Sequence, residues 1–271
     1  MRGTRFNPSG RMTTTIKLLL GAAAAAGLLG GNSSNVVLAQ TTTSGSSSLS
    51  SNSDGCVADY DAAAGVDYFP DKAVIEYAET FTVDYLPTYK VLTVSDGFSD
   101  TVYVLYQCGT PVPDLDDTTV VQQYISIPVS NVSTGTTDHV PRIELLGHRD
   151  SIVAYTGNVG LIGSPCVDEL VDNGTVVQAL TFDTLCGQDI IDNEALVNAS
   201  VEVAFGDSLT TSSCTNATMV HNGVAVVAYL ESGEAVGLGR AEAIKLFSLF
   251  YNEEARANEL FDEIEVQEWS R

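Results

Sequence analysis

The 271-residue chain carries 35 Asp and Glu against 12 Lys and Arg, for a formal net charge of −23. Four of the cations (Arg2, Arg5, Arg11 and Lys17) and none of the acids precede residue 40, which leaves 35 acidic against 8 basic side chains in the remainder. That balance argues against nucleic acid and anionic membrane surfaces as partners and suits an extracellular protein whose self-repulsion is screened by salt.

Residues 1–39 read as a targeting segment. The early cations precede an apolar run from Leu18 to Leu29, and Val37-Leu38-Ala39 offers the small residues a signal peptidase needs. The run is short for a membrane span, although an uncleaved signal anchor remains the alternative; Met12 is an alternative start. Residues 40–54 are Ser/Thr-rich without apolar period and are expected to be a disordered, O-glycosylated linker, with order beginning near Cys56. Sequons stand at Asn131, Asn173, Asn198 and Asn216, and four behind a signal peptide point to a secreted or cell-surface glycoprotein. Cys56, Cys108, Cys166, Cys186 and Cys214 are widely spaced, which in an oxidising compartment reads as two disulfides and one leftover thiol rather than a zinc site.

Residues 55–117 alternate in the manner of strands, at 81–85, 89–94 and 102–106, with Asp96-Gly97 as the turn of a hairpin. Residues 118–238 follow a strand, loop, helix grammar. Strands are expected at 124–129, 151–155, 201–205 and 223–229, and helices at 138–146, with Pro141 in the first turn and Gly147 at the end, at 166–172 and at 193–198. The spacing predicts an α/β lobe on a mainly parallel sheet.

One long amphipathic helix is expected over 239–267, with Gly239 as N-cap, Glu242 three residues on and a Glu253–Arg256 pair. Ala243, Phe247, Phe250, Ala257, Phe261 and Ile264 form its apolar stripe. The 27 residues from Gly239 to Glu265 would span roughly 40 Å as a helix, long enough to bridge two bodies. With no second body following it, the stripe is expected to lie exposed.

The combination of Tyr89-Lys90-Val91, Tyr103-Val-Leu-Tyr-Gln-Cys-Gly-Thr-Pro-Val-Pro113, Ile143-Glu-Leu-Leu-Gly147, Ser151-Ile-Val153 and Gly239-Arg-Ala-Glu242 with Asp262-Glu-Ile-Glu265 resembles the iron-siderophore/cobalamin class of periplasmic binding proteins. More narrowly, it is similar to the secreted eukaryotic branch of diatoms and other algae, whose N-terminal extension the segment from Cys56 to Lys72 resembles. The resemblance covers residues 56–268 and departs at Ala243, where many relatives carry Trp. It implies two α/β lobes joined by a long helix, with ligand between them; this chain supplies the N-terminal lobe and the helix, and the C-terminal lobe is absent from it. The function implied is a non-enzymatic receptor for a siderophore- or cobalamin-like chelate, handing it to a membrane transport component. Iron would enter only inside the ligand, with no covalently bound cofactor. The alternative is a noncatalytic surface glycoprotein, or a truncated binding-protein fragment, without ligand.

In a parallel sheet, ligands sit beyond the carboxyl ends of strands where strand order reverses. The first candidate wall is the loop Ser133, Thr134, Gly135, Thr136, Thr137, Asp138, His139, with hydroxyls and main-chain amides for carboxylate, hydroxamate or phosphate oxygens; its other reading is a simple helix cap. Tyr155, Thr156 and Asn158 form the second wall, and Glu231, with Tyr229 beside it, the rim before the long helix. Residues 157–163 have spaced glycines without the dinucleotide fingerprint and are expected to be a flexible loop. His139 and His148 are expected to cap helices or face solvent rather than bind iron. Asp114, Asp116 and Asp117 lack an EF-hand pattern. Cys108, at a strand end, is expected in a disulfide, Cys56 being one possible partner.

Overall fold

A computed structural model describes residues 49–95, 97, 99–115, 119–183, 188–206, 223–229 and 231–270. The expected signal segment, Asp116, Asp117, Cys186, Cys214 and Asn216 lie outside them. Alternating apolar residues build β1 (Phe81–Tyr85), β2 (Tyr89–Ser95) and β3 (Asp100–Gln107) into an antiparallel ribbon. Gly97 takes a left-handed φ of 84° between β2 and β3, as the hairpin signal predicts. In β2, Lys90, Leu92 and Val94 face inward, so one of the inward positions is a lysine.

β4 (Val121–Ile127) does not open the α/β lobe, as its place in the sequence suggests. It pairs in parallel with β3 and completes a four-stranded sheet, order β1-β2-β3-β4. The lobe's first strand is β5 (Val132–Thr134), so Ser133 and Thr134 belong to a strand and not to a loop. Three residues with two hydroxyls are too short and too polar to show a β period in sequence, yet all three are buried because β5 is central in its sheet.

From β5 the expected alternation holds, through α1 (His139–Leu145), β6 (Ile152–Tyr155), α2 (Pro165–Asp172) and β7 (Val177–Gln178). Gly147 has φ 88° beyond α1, and the Ser164 side chain accepts from the Val167 amide to cap α2. A two-stranded hairpin that sequence reasoning missed, β8 (Leu180–Asp183) and β9 (Gln188–Ile191), precedes α3 (Asn193–Asn198). β10 (Val203–Gly206) and β11 (Ala225–Ala228) complete an all-parallel sheet of order β11-β10-β5-β6-β7. Residues of α1 and α2 join the large core, with Val132, Val203, Phe205 and Val227 from the sheet. Leu196 of α3 joins Ala154, Ala204 and Val226 in a second, smaller core.

The expected long helix is two helices, α4 (Gly237–Tyr251) and α5 (Glu254–Trp269). Asn252 adopts the left-handed conformation, φ 61°, which Asn tolerates better than most residues. Remote groups cap the carbonyls freed at the break: Lys90 Nζ donates to Leu249 O (2.8 Å) and the Val129 amide to Phe250 O (2.9 Å). The Asn252 side chain donates to Ser53 O (2.7 Å) and Gln107 Oε1 (2.9 Å) and accepts from Lys90 Nζ (2.8 Å). Tertiary contacts set this corner, and helical periodicity cannot report them.

Other expectations for this region change as well. Gly239 lies inside α4, where a Cβ would come 3.0 Å from Tyr77 O, and Val236 is the N-cap. Phe247, Phe250 and Phe261 are buried rather than exposed, with Phe205 5.1 Å from Phe247 and 4.9 Å from Phe250 between ring centroids. Of the stripe, Ile264 is exposed. Glu253 pairs with His148 (3.2 Å) and Arg256 with Glu259 (3.5 Å), not with each other.

Buried carboxylates fasten the N-terminal extension to the helices. Glu242 accepts from the amides of Glu76 (2.9 Å), Tyr77 (2.7 Å) and Ala78 (2.8 Å) and pairs with Lys245 (2.8 Å). Burial by itself would raise its pKa, but Lys245 and these amides hold it below the ordinary carboxylate value. Glu234 accepts from the Glu79 (3.0 Å) and Thr80 (2.9 Å) amides and the Thr80 hydroxyl. Glu254 pairs with fully buried Lys90 and accepts from Asn52 Nδ2 (2.6 Å). Asn52 also bonds the main chain of Asp71 in both directions, so the held chain begins inside the expected linker. The Cys56–Cys108 disulfide clamps the same strand end, beside a Val57 N to Cys108 O bond of 2.8 Å.

Candidate functional site

After β5 the chain steps outward through β6 to β7, then returns to place β10 on the other side of β5. Strand order therefore reverses between β5 and β10, and a crevice at their carboxyl ends is where doubly wound sheets receive ligands. The Gly135 amide crosses it to Phe205 O (3.0 Å), and the Thr156 amide bonds Thr134 O (2.9 Å). The turn after β5 and the turn after β6 meet backbone to backbone. A Cβ on Gly157 would lie 2.3 Å from Gly135 O, and one on Gly135 would lie 2.9 Å from Thr156 Oγ1. Gly157 has no room for a side chain against the Gly135 carbonyl, so the turns after β5 and β6 close the β5–β6 side of the crevice.

The expected site residues divide into groups. Ser133 lies between Ala154 and Ala204 in register, on the sheet face of the smaller core, while Thr134 lies opposite Tyr155 and Phe205 on the other face. Ser133 Oγ and Thr136 Oγ1 are buried and have no hydrogen-bond partner among the described residues. Thr134 Oγ1 donates to Thr136 O (3.4 Å). Gly135, Thr136, Thr137 and Thr156 are half-buried past the strand ends, and Tyr155 is buried. Asn158 is exposed, and its Oδ1 accepts from the Gly160 amide (3.0 Å), capping a 3-10 turn over Val159–Leu161 in what reads in sequence as a flexible loop.

His139 corrects an expectation. Instead of capping or facing solvent, it is fully buried among Phe247, Tyr229 and Phe205, at centroid distances of 4.9, 6.3 and 6.5 Å. Among the described residues neither ring nitrogen has a partner of good hydrogen-bond geometry, although the Tyr229 main chain lies near. Burial lowers its pKa to about 4, with Arg142 adding to the shift and the Tyr229 main chain opposing it. It is a neutral core residue behind the crevice. His148 is half-exposed, stacked on Tyr251 at 4.2 Å.

Glu231 is not a free rim carboxylate. Its Oε1 pairs with Arg142 Nη2 (2.5 Å), and the same nitrogen donates to Arg240 O (3.2 Å), tying α1 to the start of α4. Burial raises the Glu231 pKa against the opposing charge of Arg142. Its Oε2 and Arg142 Nε are buried without hydrogen-bond partners among the described residues. Arg142 was not among the residues expected at the site, and no local signal in the sequence joins it to Glu231, 89 positions away. Two hollows lie away from the crevice, one along α5 by Asp262 and Val266 and one of about 290 Å³ by Asn52 and Asn252. Among the described residues no group of three His, Cys, Asp or Glu is placed to hold a metal ion, and no helix is long and apolar enough to cross a membrane.

No protein-family model and no curated protein matches the chain. Among solved structures it is similar to the crystal structure of heme binding protein HmuT, with TM-score 0.41 and 16% identity over 77% of this chain and 52% of that one. A tyrosine-to-alanine variant of HmuT gives TM-score 0.40 and 16% identity over 79% and 50%. The chain thus spans about half the length of these proteins, and the likeness is one of coarse layout that carries nothing about ligand.

Proposed function

We propose that the chain is a noncatalytic solute-binding module, secreted or held at the cell surface, that takes an oxygen-rich chelate of siderophore or cobalamin type for uptake. The observation that carries this reading is the reversal of strand order between β5 and β10, with Ser133 Oγ and Thr136 Oγ1 buried and unpartnered beside it. A buried hydroxyl without a partner is destabilising by about 1–3 kcal/mol, and ligand oxygens meeting both would recover that energy. The sequence resemblance supplies the chelate class. Iron would arrive inside the ligand, since His139 is enclosed by aromatic rings rather than directed at the crevice. A membrane transport component would receive the loaded protein.

A second reading, a surface glycoprotein that takes no solute, is favoured by the exposed sequons Asn173 and Asn198. Calorimetric titration with a ferric trihydroxamate, cobalamin and a metalloporphyrin separates the two. Binding of one of them, weakened roughly 10-fold by Ser133→Val with Thr136→Val, is expected if the crevice is the site, about the effect of losing one to two hydrogen bonds. Heats indistinguishable from buffer for all three ligands favour the second reading.

A further inference from the structure

In the parallel sheet every strand starts on one edge, and the helices that run back between strands end on that edge too. Asn173 is the C-cap of α2, four residues before β7; Asn198 is the last residue of α3, five before β10; Asn131 immediately precedes β5. Three of the four sequons thus converge on the amino-terminal edge of the sheet, opposite the crevice, although 67 positions separate the first from the third in sequence. The fourth, Asn216, lies outside the described residues.

The three are not equivalent. Asn173, Gly174 and Thr175 are all exposed, and Asn173 Oδ1 accepts from the Thr175 amide (3.0 Å), leaving Nδ2 without a hydrogen bond among the described residues. Asn198 and Ser200 are exposed, and the Asn198 side chain makes no hydrogen bond among the described residues. Asn131 is half-buried, and its Nδ2 donates to Ser200 O (3.3 Å), inside the Asn198 sequon itself. The hydroxyl of the Asn131 sequon is Ser133, fully buried in the central strand. A bulky, water-seeking glycan fits the first two positions and not the third.

We propose that the amino-terminal edge of the parallel sheet is the glycan-bearing face of this protein, with N-linked oligosaccharide on Asn173 and Asn198 and none on Asn131. In the transfer, Nδ2 forms a bond to the anomeric carbon of an oligosaccharide carried on a polyisoprenyl diphosphate. The anomeric carbon–oxygen bond breaks, the diphosphate leaves with the electron pair, and the amide releases one proton; nothing is oxidised or reduced. Glycans on this edge keep partners off it and leave the carboxyl edge open. The assignment depends on secretory routing and holds whether or not the crevice takes a solute.

The test is to make the full chain in a eukaryotic secretory host, release N-glycans enzymatically in heavy-oxygen water and map the labelled peptides. Label at Asn173 and Asn198 with Asn131 unmodified is expected, and Asn173→Gln and Asn198→Gln should each remove one glycan while leaving the unfolding midpoint unchanged. A glycan on Asn131, or an unmodified Asn173 or Asn198, overturns the proposal.

Discussion

Buried charge and buried imidazole decide how this lobe responds to its surroundings. His139 binds a proton more readily in the unfolded chain, near its ordinary pKa of about 6.5, than in the fold, where burial lowers it to about 4. Its contribution is therefore fully present above pH 6.5 and is lost as pH falls towards 4, by on the order of 3 kcal/mol. Denaturant melts at pH 7 and pH 4 should show wild type losing about that much more stability than His139→Phe. Equal losses would remove the assigned burial. Lys90 is fully buried against Glu254, Asn252 and the ring of Phe69, 4.5 Å away. Lys90→Met leaves Glu254 unpaired and should cost about 3–5 kcal/mol, while Lys90→Met with Glu254→Leu should regain most of it. An undiminished midpoint in the single variant would show the pair to be solvated. Neither residue announced its burial in sequence: an inward lysine in a strand and a histidine opening a helix look like surface groups until tertiary partners enclose them.

Elements were legible where a local signal marks them and opaque where only distant contacts do. Asp96-Gly97 and Pro141 with Gly147 mark a turn and helix ends through their own backbone preferences, and the hairpin and α1 stand close to where those signals place them. The Asn252 corner carried one faint signal, an Asn of the kind that stops helices. Its freed carbonyls are capped by Lys90 and Val129, and the Asn252 side chain is held by Ser53 and Gln107, as much as 199 residues away. The pairing of β4 with β3 is also nonlocal, and it gives the first sheet a second task. Gln123 Oε1 accepts from the Val226 amide (2.7 Å) and the Tyr103 hydroxyl from the Ala228 amide (3.2 Å), covering the open edge of β11. At the other end of the first sheet the disulfide closes 52 residues of chain. Cys56→Ser with Cys108→Ser should lower stability by about 2–4 kcal/mol in urea unfolding. A change below about 1 kcal/mol would mean that hydrogen bonds alone hold the 52–57 strap.

At the scale of the molecule, the parallel sheet has two edges of opposite character. The carboxyl edge carries the reversal of strand order, the close Gly135–Gly157 approach and unpartnered buried hydroxyls. The amino edge carries three of the four sequons, at Asn131, Asn173 and Asn198. Sequence marks Ser133–His139 and Tyr155–Asn158 as candidates because each follows an expected strand, and strand ends are where α/β sheets bind; the strand expected before Ser133, at 124–129, belongs instead to the first sheet, and the parallel sheet supplies β5 in its place. What sequence did not show is that Ser133 lies one residue inside β5, that His139 is walled off, and that Glu231 is tied to Arg142. The measurement that bears most directly on the crevice is amide hydrogen exchange of the full chain, with and without saturating ferric trihydroxamate, cobalamin or metalloporphyrin, whichever gives calorimetric heat. Slowed exchange at 135–137 and 156–158, with no change around Asn173 and Asn198, is the expected result. Protection confined to the hollow beside Asn252 or to α5, or no protection anywhere, would contradict a binding site at the strand reversal.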